Sequence, residues 1–481
     1  MVKTPLTIAK KSLVFVQHFS SQILRNLKKG IQMTEATRNS YDMILKGGTV
    51  VLPGLTTKTD IGIVNGKIEA IGNLSGAEAQ ETIECSGLHV LPGLIDTQVH
   101  FREPGADHKE VLETGMKAAA MGGITTIFEM PNTNPLTTTP EAMADKLARA
   151  SKNPWVNYAF YLGGTAQNAA NLGEWENLEG VCGIKIFMGA STGDLLSATD
   201  EEVGAVLENG KRVVAVHAED EMMMNENKKT ILGDSHDVKL HPVWRSAESC
   251  LSATKRLVRL ARQHNRRVHV LHITTAEEME FLAKNKDIAS VEVLANHLTL
   301  HAPDCYETLG SKAQQNPPIR EKHHQDALWK AIANGTVDIL ASDHAPHTLE
   351  EKSKEYPASP SGTPGVQTLV PVMLNHVHQG RLTLERLVDL MCHGPQRIHR
   401  IIGKGRIARG YDADFTIVDL SKKQIISNDQ QLSRAGWTPF DGMEVTGWPV
   451  ITIIDGKIVA QDGELKGPKA GKMVRFEENR G

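Results

Sequence analysis

One stretch of the chain joins an apolar strand to a group of polar side chains: His89-Val-Leu-Pro-Gly-Leu-Ile-Asp-Thr-Gln-Val-His-Phe-Arg-Glu-Pro-Gly105. Its first half is a short apolar run of the kind that forms a buried strand. Its second half presents an imidazole, His100, and a guanidinium, Arg102, ahead of a Pro-Gly turn. Because residues two apart lie on the same face of an extended strand, we expect both side chains to reach the same end of one core strand.

The composition excludes two classes of partner. The 481 residues are 40% hydrophobic and 23% charged, with a formal net charge of -4. A nucleic-acid-binding surface needs a clustered basic excess, and a membrane-spanning helix needs an apolar run of roughly 18 residues. The sequence offers neither. Five scattered cysteines without a Cys-x-x-Cys pair favour reduced thiols in a cytoplasmic protein.

The amino terminus differs from the rest of the chain. Residues 1–32 carry six lysines and arginines and no acid, a composition that resembles an organelle transit peptide. The alternative is a start site assigned too far upstream, since Met33 precedes a more ordinary segment. We favour the second interpretation and treat residues 1–40 as an extension, disordered or wrongly assigned, outside the fold.

Short strands dominate both ends of the remaining chain. Residues 41–92 contain several, two of them joined by Asn65-Gly66, a dipeptide typical of a type I′ hairpin turn. Similar strands return within 401–475, at Asp412–Leu420 and Val450–Val459. We therefore predict one small β-sandwich domain built from the N- and C-terminal segments.

The middle of the chain, residues 93–400, alternates apolar strands with helical segments, which predicts a parallel α/β sheet. The eight predicted strands end near His100, Met130, Gly163, Met188, His217, Thr275, Leu298 and His347. The predicted helices between them are Glu110–Met121, Pro140–Ala150, Glu201–Glu208, Ala247–Gln263, Ala276–Lys284 and His324–Ala333. Eight such units make a (β/α)8 TIM barrel, whose active site lies at the carboxyl ends of the strands. A long loop rich in Pro, Ser and Gly, Thr348–Gly365, is typical of a lid or a disordered insert.

Five potential metal ligands fall at those strand ends: His100, Lys185, His217, His272 and Asp343. Imidazole and carboxylate are the ligands that Zn2+ selects. A single histidine after a strand is more often a hydrogen-bonded core residue, but five such residues on one rim favour a metal site. Lys185, inside the apolar run Gly183-Ile-Lys-Ile-Phe, needs a partner, a shifted pKa or a covalent modification, because an unpaired buried ammonium is costly.

Further polar residues surround this set. Arg102 offers a planar fork suited to a carboxylate. Asn132 follows the second strand, Asn316 stands in Gln315-Asn-Pro-Pro-Ile-Arg320, and His347 lies four residues after Asp343. Taken alone, Arg102 would be interpreted as forming an ordinary surface salt bridge, and Asn132 as a residue that stabilises a turn.

With these residues in place, the chain resembles the class I-like dihydroorotases of the amidohydrolase superfamily, over residues 41 to 475. The resemblance rests on an ordered set of motifs: Gln98-Val-His-Phe-Arg-Glu-Pro-Gly, Met130-Pro-Asn-Thr, Gly183-Ile-Lys-Ile-Phe, Val216-His-Ala-Glu, Leu271-His-Ile-Thr, Asn316-Pro-Pro-Ile-Arg and Ser342-Asp-His-Ala-Pro-His. It implies reversible conversion of N-carbamoyl-L-aspartate to dihydroorotate in pyrimidine (UMP) biosynthesis.

The resemblance also implies a role for each residue. Lys185, carboxylated on its side-chain nitrogen, would bridge two zinc ions, with His217 and His272 on one of them. His100, Asp343 and the residue at position 98 would hold the other ion. A hydroxide held by the metal would be the nucleophile, with Asp343 as general acid and base. The substrate-binding residues would be Arg102, Asn132, His347, Asn316, Ser361 and Gly362.

One position departs from the family. The first metal-binding strand of these enzymes carries His-x-His, and here the first histidine is Gln98. A neutral amide oxygen is a weaker zinc ligand than imidazole, so we expect the site at His100 to be weakened or vacant and the site at Lys185 to be intact. The number of zinc ions bound, one or two, therefore remains open.

Three alternatives stay open as well. Allantoinases typically have a different residue where Arg102 stands, and dihydropyrimidinases carry a Tyr shortly after the lysine, which Met188-Gly-Ala-Ser191 lacks. A non-catalytic dihydroorotase-like subunit that scaffolds aspartate transcarbamoylase would also lose metal ligands. Lys185, His217, His272 and Asp343 are all retained, which favours an enzyme. A homo-oligomer, dimer or tetramer, is expected from the resemblance.

Overall fold

The computed structural model describes residues 40–190 and 195–478. The extension predicted for residues 1–40 lies outside the described residues, apart from Ser40, which begins the first strand. The strands are β1 (Ser40–Leu52), β2 (Leu55–Val64), β3 (Lys67–Gly72), β4 (Glu78–Glu84), β5 (His89–Pro92), β6 (Leu94–Val99), β7 (Ile124–Glu129), β8 (Asn157–Gly163), β9 (Val181–Phe187), β10 (Val214–His217), β11 (Val268–Val270), β12 (Ala289–Leu294), β13 (Ile339–Ala341), β14 (Phe415–Ile425), β15 (Glu444–Ile454), β16 (Lys457–Gln461) and β17 (Glu464–Leu465).

The longer helices surround the strands of the middle region. The α-helices are Leu112–Met121, Pro140–Ala150, Leu172–Trp175, Asp200–Glu208, Glu221–Asn227, His241–Trp244, Ala247–Gln263, Ala276–Ala283, Ala295–Thr299, Asp304–Leu309, Lys322–Ala333, Leu349–Lys352, Leu369–His378, Leu384–Val388 and Gly394–His399. All six predicted helices are present, and Pro140–Ala150 and Ala247–Gln263 have the predicted bounds. Thr139 and Ser246 begin these two helices, because each side-chain oxygen accepts a backbone N–H of the first turn.

Strands β6 to β13 form one parallel sheet in sequence order. Every residue of these strands is buried, as expected when helices cover the outer face and side chains fill the interior. The sheet closes where β6 meets the residues after β13: the backbone N–H of His100 donates to the carbonyl of His344 at 2.8 Å, and Val99 pairs with His344. The predicted (β/α)8 barrel is confirmed.

The sixth, seventh and eighth strands end earlier than the sequence predicts. They end at Val270, Leu294 and Ala341. The seventh passes directly into the helix Ala295–Thr299. After the other two, the chain turns through His272 and Asp343, which have φ angles of 39° and 47°. A left-handed residue cannot continue a strand, so these two side chains lie beyond the strand ends rather than on them.

The second sheet has nine strands drawn from both ends of the chain. Strands β1 to β5 come from the N-terminal side and β14 to β17 from the C-terminal side, and β5 joins the two groups by pairing with β14. The predicted Asn65-Gly66 hairpin connects β2 and β3, with φ angles of 51° and 70°, as a type I′ turn requires. The predicted β-sandwich domain built from the two ends is confirmed.

The two sheets are held together at the amino-terminal end of β7. The Thr416 hydroxyl on β14 donates to the carbonyl of Gly123 at 2.7 Å. Gly123 has a φ of 87°, and a Cβ there would lie 2.8 Å from Pro449, so this close approach requires glycine.

Within the described ranges, no helix is both long and apolar enough to cross a bilayer. All five cysteines are free and buried.

Candidate active site

The predicted ligands meet at the carboxyl end of the barrel in two groups. We call Gln98, His100 and Asp343 the first half of the site, and Lys185, His217 and His272 the second half. One cavity touches both halves, and it is lined by Gln98, His100, Phe187, His217, His272, Asn316, Asp343, Ala345, Ser361 and Gly362. The structure therefore brings the predicted metal-site residues to one location.

Lys185 is the central residue of the second half. It lies on β9 opposite Gly163 of β8 and Ala215 of β10, and it is fully buried. Its Nζ has no hydrogen-bond partner among the described residues and stands 4.3 Å from the centre of the Phe187 ring. Burial lowers the pKa of Lys185 to about 7, although the charges of Asp343 and Glu292 act to raise it. An amine in this environment is substantially neutral near pH 7.

The two imidazoles of the second half face each other. His217 Nδ1 lies 3.1 Å from His272 Nε2, and both rings are buried. His217 Nε2 is 2.9 Å from a carboxylate oxygen of Glu219, and that carboxylate is also paired with Arg245. Burial lowers the pKa of His217 and of His272, so both rings are neutral at pH 7. Neutral rings, one of them oriented by a carboxylate, are the form in which histidine binds metal.

The first half is organised around one carboxylate oxygen. His100 Nε2 lies 3.1 Å from Asp343 Oδ1, and the Gln98 amide Nε2 donates to the same oxygen, also at 3.1 Å. His100 Nδ1 lies 2.7 Å from the amide oxygen of Asn132. Gln98 Oε1 is buried without a partner in the described part of the chain. The amide of Gln98 thus points its hydrogens, not its oxygen, at Asp343.

Three non-glycine residues of the site adopt positive φ angles. These are Arg102 at 63°, His272 at 39° and Asp343 at 47°. Each such residue costs of order 1 to 3 kcal/mol of conformational strain, and strain of this kind clusters where side chains must be aimed. Here it directs the three side chains from the strand ends into the same region.

Arg102 is a buried cation that has no ion-pair partner among the residues the structure describes. Its Nε donates to the carbonyl of Pro346 at 3.2 Å, and its Nη2 lies 3.3 Å from His347 Nε2. No carboxylate of the described residues is within ion-pair distance of the guanidinium. Burial lowers the pKa of Arg102 to about 10, and more distant acids oppose that shift. A buried guanidinium without a close carboxylate is a candidate for binding an anionic group.

His347 connects Arg102 to the long loop. Its Nε2 lies 3.0 Å from the carbonyl of Ser361, and its Nδ1 lies 3.0 Å from Lys109 Nζ. Because an ammonium can only donate, Nδ1 accepts and Nε2 carries the proton that goes to Ser361. Burial, with the charges of Arg102 and Lys109, holds the pKa of His347 well below its usual range.

The loop Thr348–Gly365 packs over the site from the side of Asn316. Lys352 is buried and donates from Nζ to the carbonyls of Gln314, Pro360 and Gly362 at 3.1, 2.9 and 3.2 Å. Asn316 Oδ1 lies 3.1 Å from His241 Nε2, whose other ring nitrogen lies 3.2 Å from the Tyr356 hydroxyl. Ser361 and Gly362 are therefore held beside Asn316 by contacts at both ends of the loop.

The donor set fits a divalent cation only with the help of Lys185. In the ranges 40–190 and 195–478, no three His, Cys, Asp or Glu side chains form a group that could hold a metal ion by themselves. Lys185 Nζ and Gln98 Oε1 are buried polar atoms without partners, and the facing nitrogens of His217 and His272 are lone-pair donors. A lysine converted to an anion would supply the missing ligand, so the residues present fit a metal bound through a modified Lys185.

Several supporting residues were not predicted. Glu219 stands two residues after His217, and a carboxylate at a buried strand end could have been recognised as its partner. Lys109 and Lys352 lie outside regular strands, and Arg245 is 26 residues from Glu219. No local sequence pattern shows those contacts, because the chain folds back over long loops to make them.

Comparisons with known proteins agree with this architecture. Residues 89–459 match the model of the amidohydrolase family. The chain belongs to that family, and like its members it is a hydrolase. Within the family it resembles proteins named dihydroorotase: it is 36% identical to that of Methanosarcina acetivorans, covering 90% of this chain and 95% of the relative. It is 34% identical to that of Bacillus subtilis, covering 88% and 99%. By sequence the chain groups with the class I-like dihydroorotases.

Two similar solved structures are a hydantoinase and a dihydropyrimidinase rather than dihydroorotases. The L-hydantoinase (dihydropyrimidinase) of Arthrobacter aurescens superimposes with a TM-score of 0.86 at 31% identity, covering 90% of this chain and 99% of that one. The dihydropyrimidinase of Brevibacillus agri has a TM-score of 0.83 at 28% identity, covering 89% and 97%. Both sets of similar proteins, by their names, act on cyclic amides.

Proposed function

We propose that this enzyme is a dihydroorotase, which interconverts N-carbamoyl-L-aspartate and dihydroorotate in pyrimidine biosynthesis. The observation that carries the proposal is Arg102, a buried guanidinium without a carboxylate partner, next to His347 and near Asp343. A substrate carboxylate would complete the ion pair, and both dihydroorotate and carbamoyl aspartate carry one. The names of the sequence relatives support the same activity.

The substrate's other contacts follow from the same neighbourhood. Asn132 contacts His100 and would share the carboxylate with Arg102 and His347. Asn316, Ser361 and Gly362 line the cavity that touches both halves of the site and would contact the ring amide. Bidentate pairing with arginine fixes both the position and the orientation of a carboxylate, which would present the ring carbonyl towards Asp343.

Zinc would be held by Lys185, His217 and His272, with His100, Asp343 and Gln98 as a second and weaker set. We propose that Lys185 carries a carboxyl group on Nζ, since a neutral amine is the form that reacts with carbon dioxide and burial favours that form. When bound, zinc polarises a carbonyl and lowers the pKa of water, from 15.7 to about 7 in favourable cases.

Asp343 would move the proton in both directions. In hydrolysis, water adds to the ring carbonyl carbon and the C–N bond breaks; Asp343 takes a proton from that water and delivers it to the departing nitrogen. In ring closure, the ureido nitrogen attacks the carbon of the protonated side-chain carboxyl group, and Asp343 takes the proton from that nitrogen. Asp343 delivers this proton to the departing hydroxyl, which leaves as water. His100 Nε2 and the Gln98 amide, both at 3.1 Å from Oδ1, would orient that carboxylate.

Hydantoinase or dihydropyrimidinase activity is the second candidate, because those enzymes are structurally similar at TM-scores of 0.83 to 0.86. Allantoinase and a scaffold for aspartate transcarbamoylase remain further alternatives from the sequence. An uncarboxylated ring would leave the buried Arg102 guanidinium without a carboxylate to pair with, which disfavours the hydantoinase alternative. Cytoplasmic location, a homo-oligomeric state and association with aspartate transcarbamoylase stay predictions.

A substrate panel tests the proposal. The zinc-loaded enzyme is assayed on dihydroorotate, hydantoin, dihydrouracil and allantoin, as wild type and as Arg102→Met. We expect turnover of dihydroorotate, and a loss in kcat/KM of about 100-fold or more in the variant, because a charged hydrogen-bonded pair is removed. Turnover of an uncarboxylated ring alone would overturn the proposal. Failure of the protein to retain zinc after loading, together with no turnover of any substrate, would favour the scaffold.

A further inference from the structure

A second cavity opens at the opposite end of the barrel from the candidate active site. It has a volume of about 370 Å3, within the range of roughly 300 to 1,000 Å3 of small-molecule sites. Its lining includes the residues that immediately precede three strands: Val213 before β10, Arg267 before β11 and Asp338 before β13. We call it the basic cavity, after its six cationic side chains: Lys211, Arg212, Arg267, Lys286, Arg397 and Arg400.

The cations of the basic cavity outnumber the acids. Asp338 is the one acid in the lining, and it is already paired with Lys286. Glu176, nearby, accepts the backbone N–H groups of Lys211 and Arg212 and is paired with Arg266 at 2.8 Å. This excess of positive charge occurs in a chain whose formal net charge is -4, so it is a local feature and not a reflection of composition.

Several of these cations have little that neutralises them. Within the described ranges, no ion pair or side-chain hydrogen bond involves Lys211 Nζ or the guanidinium of Arg400, and Arg397 Nη1 is 3.8 Å from Asp389. In the same described ranges, the side chain of Arg267 donates only to the carbonyl of Asp287. Glu477 and Glu478 line an adjoining cavity that shares Arg212 and Arg400, but no ion pair between them and those arginines is formed in the described part of the chain.

The like charges act on one another. Burial lowers the pKa of Lys286, and the charges of Arg397 and Arg267 lower it further, against the effect of Asp338. Burial lowers the pKa of Arg212, and Arg400 adds to that shift. Residues at the amino-terminal end of a barrel ordinarily serve stability, whereas a group of unneutralised like charges opposes it. Four of the cations, Lys211, Arg267, Arg397 and Arg400, are exposed, so water screens part of the repulsion, and an anion bound among them would reduce what remains.

We propose that the basic cavity binds a small molecule carrying a diphosphate or similar phosphate group. Guanidinium forks match phosphate oxygens, and four of the six cations are arginines. The cavity volume of about 370 Å3 is larger than a single phosphate needs. The site is separate from the substrate pocket, and the inference does not depend on the proposed function.

Binding of inorganic pyrophosphate and of ADP to the full-length enzyme tests this inference by calorimetry, at an ionic strength held constant with sodium chloride. The variant Arg397→Gln/Arg400→Gln removes two exposed cations of the cavity. Arg259→Gln/Arg262→Gln removes the same charge from an exposed helix face and is the matched control. We expect one binding site per chain, weakened at least about tenfold in the first variant and unchanged in the control.

Each outcome has a definite meaning. Tighter binding of ADP than of pyrophosphate supports a nucleotide as the ligand, and equal binding supports a free diphosphate. Binding that survives unchanged in Arg397→Gln/Arg400→Gln, that falls equally in the control, or that occurs with an RNA oligonucleotide but not with pyrophosphate overturns the proposal. Dihydroorotate turnover is expected to be unchanged in both double variants, so a failure of the proposed function would be seen independently.

Discussion

The first and second halves of the candidate metal site contain similar side chains but differ in how their polar atoms are satisfied. In the first half, Asp343 Oδ1 receives the Gln98 amide and lies against His100 Nε2, so the carboxylate is already bonded. In the second half, Lys185 Nζ has no partner among the described residues, and two imidazole nitrogens face each other at 3.1 Å. The second half therefore needs a cation and an anionic lysine more than the first does.

The difference follows from one residue. A histidine at position 98 would offer a lone pair to a metal, whereas the Gln98 amide offers hydrogens to Asp343 and leaves its own oxygen buried without a partner. The Gln98 amide thus satisfies the Asp343 carboxylate with a hydrogen bond, as a metal would with a coordinate bond. The amide does not supply the positive charge of a metal. We therefore expect substitutions in the second half to reduce turnover and zinc binding more than substitutions in the first half.

The largest effect is expected from Lys185→Met. Methionine fills a similar volume without the ammonium, so the barrel should fold, but the ligand that completes the second half is lost. We expect dihydroorotate turnover to fall by about 1,000-fold or more, because metal activation contributes several kcal/mol. Bound zinc should fall as well. Thermal unfolding of the variant serves as the folding control, and near-normal turnover would contradict the role assigned to Lys185.

The supporting residues of the two halves give the next comparison. Glu219→Gln removes the carboxylate that orients His217, and Asn132→Ala removes the amide that contacts His100. Residues of this kind contribute about 10- to 100-fold to metal affinity. We expect Glu219→Gln to weaken zinc retention by that amount in chelator competition. A larger effect of Asn132→Ala on zinc would reverse the order of the two halves.

The smallest effect on activity is expected from Gln98→Ala. The substitution leaves the second half intact and removes only the donor to Asp343, so turnover of dihydroorotate should fall less than about tenfold. Steady-state kinetics of this variant beside Lys185→Met measures the contrast directly. Equal losses in the two variants would show that the halves act as one unit.

Sequence patterns predicted the barrel because its strands and helices are encoded locally. The apolar periodicity of Ala247–Gln263 and the capping by Ser246 gave that helix its observed bounds. The ends of the sixth and eighth strands were missed because His272 and Asp343 have positive φ angles, which their residue types do not require. Tertiary packing imposes those angles, so no local pattern indicates them.

The candidate site was predicted as a set of residues but not as a set of contacts. The residues at the strand ends predicted a metal site, and Gln98 was identified as the departure from the family pattern. Which atom of the Gln98 amide faces Asp343, and that Lys352 holds Gly362 through its carbonyl, depend on residues far apart in the chain. These contacts are defined only when the strands are arranged around the barrel, so the sequence alone does not predict them.

The amount of zinc bound per chain tests the central claim most directly. Wild-type enzyme and Gln98→His are loaded with zinc, freed of weakly bound metal by gel filtration and analysed by elemental mass spectrometry. We expect about one tightly held zinc ion per wild-type chain, and an increase towards two when the imidazole of Gln98→His replaces the amide. Two tightly held zinc ions in the wild-type chain, with Gln98→His unchanged, would contradict it.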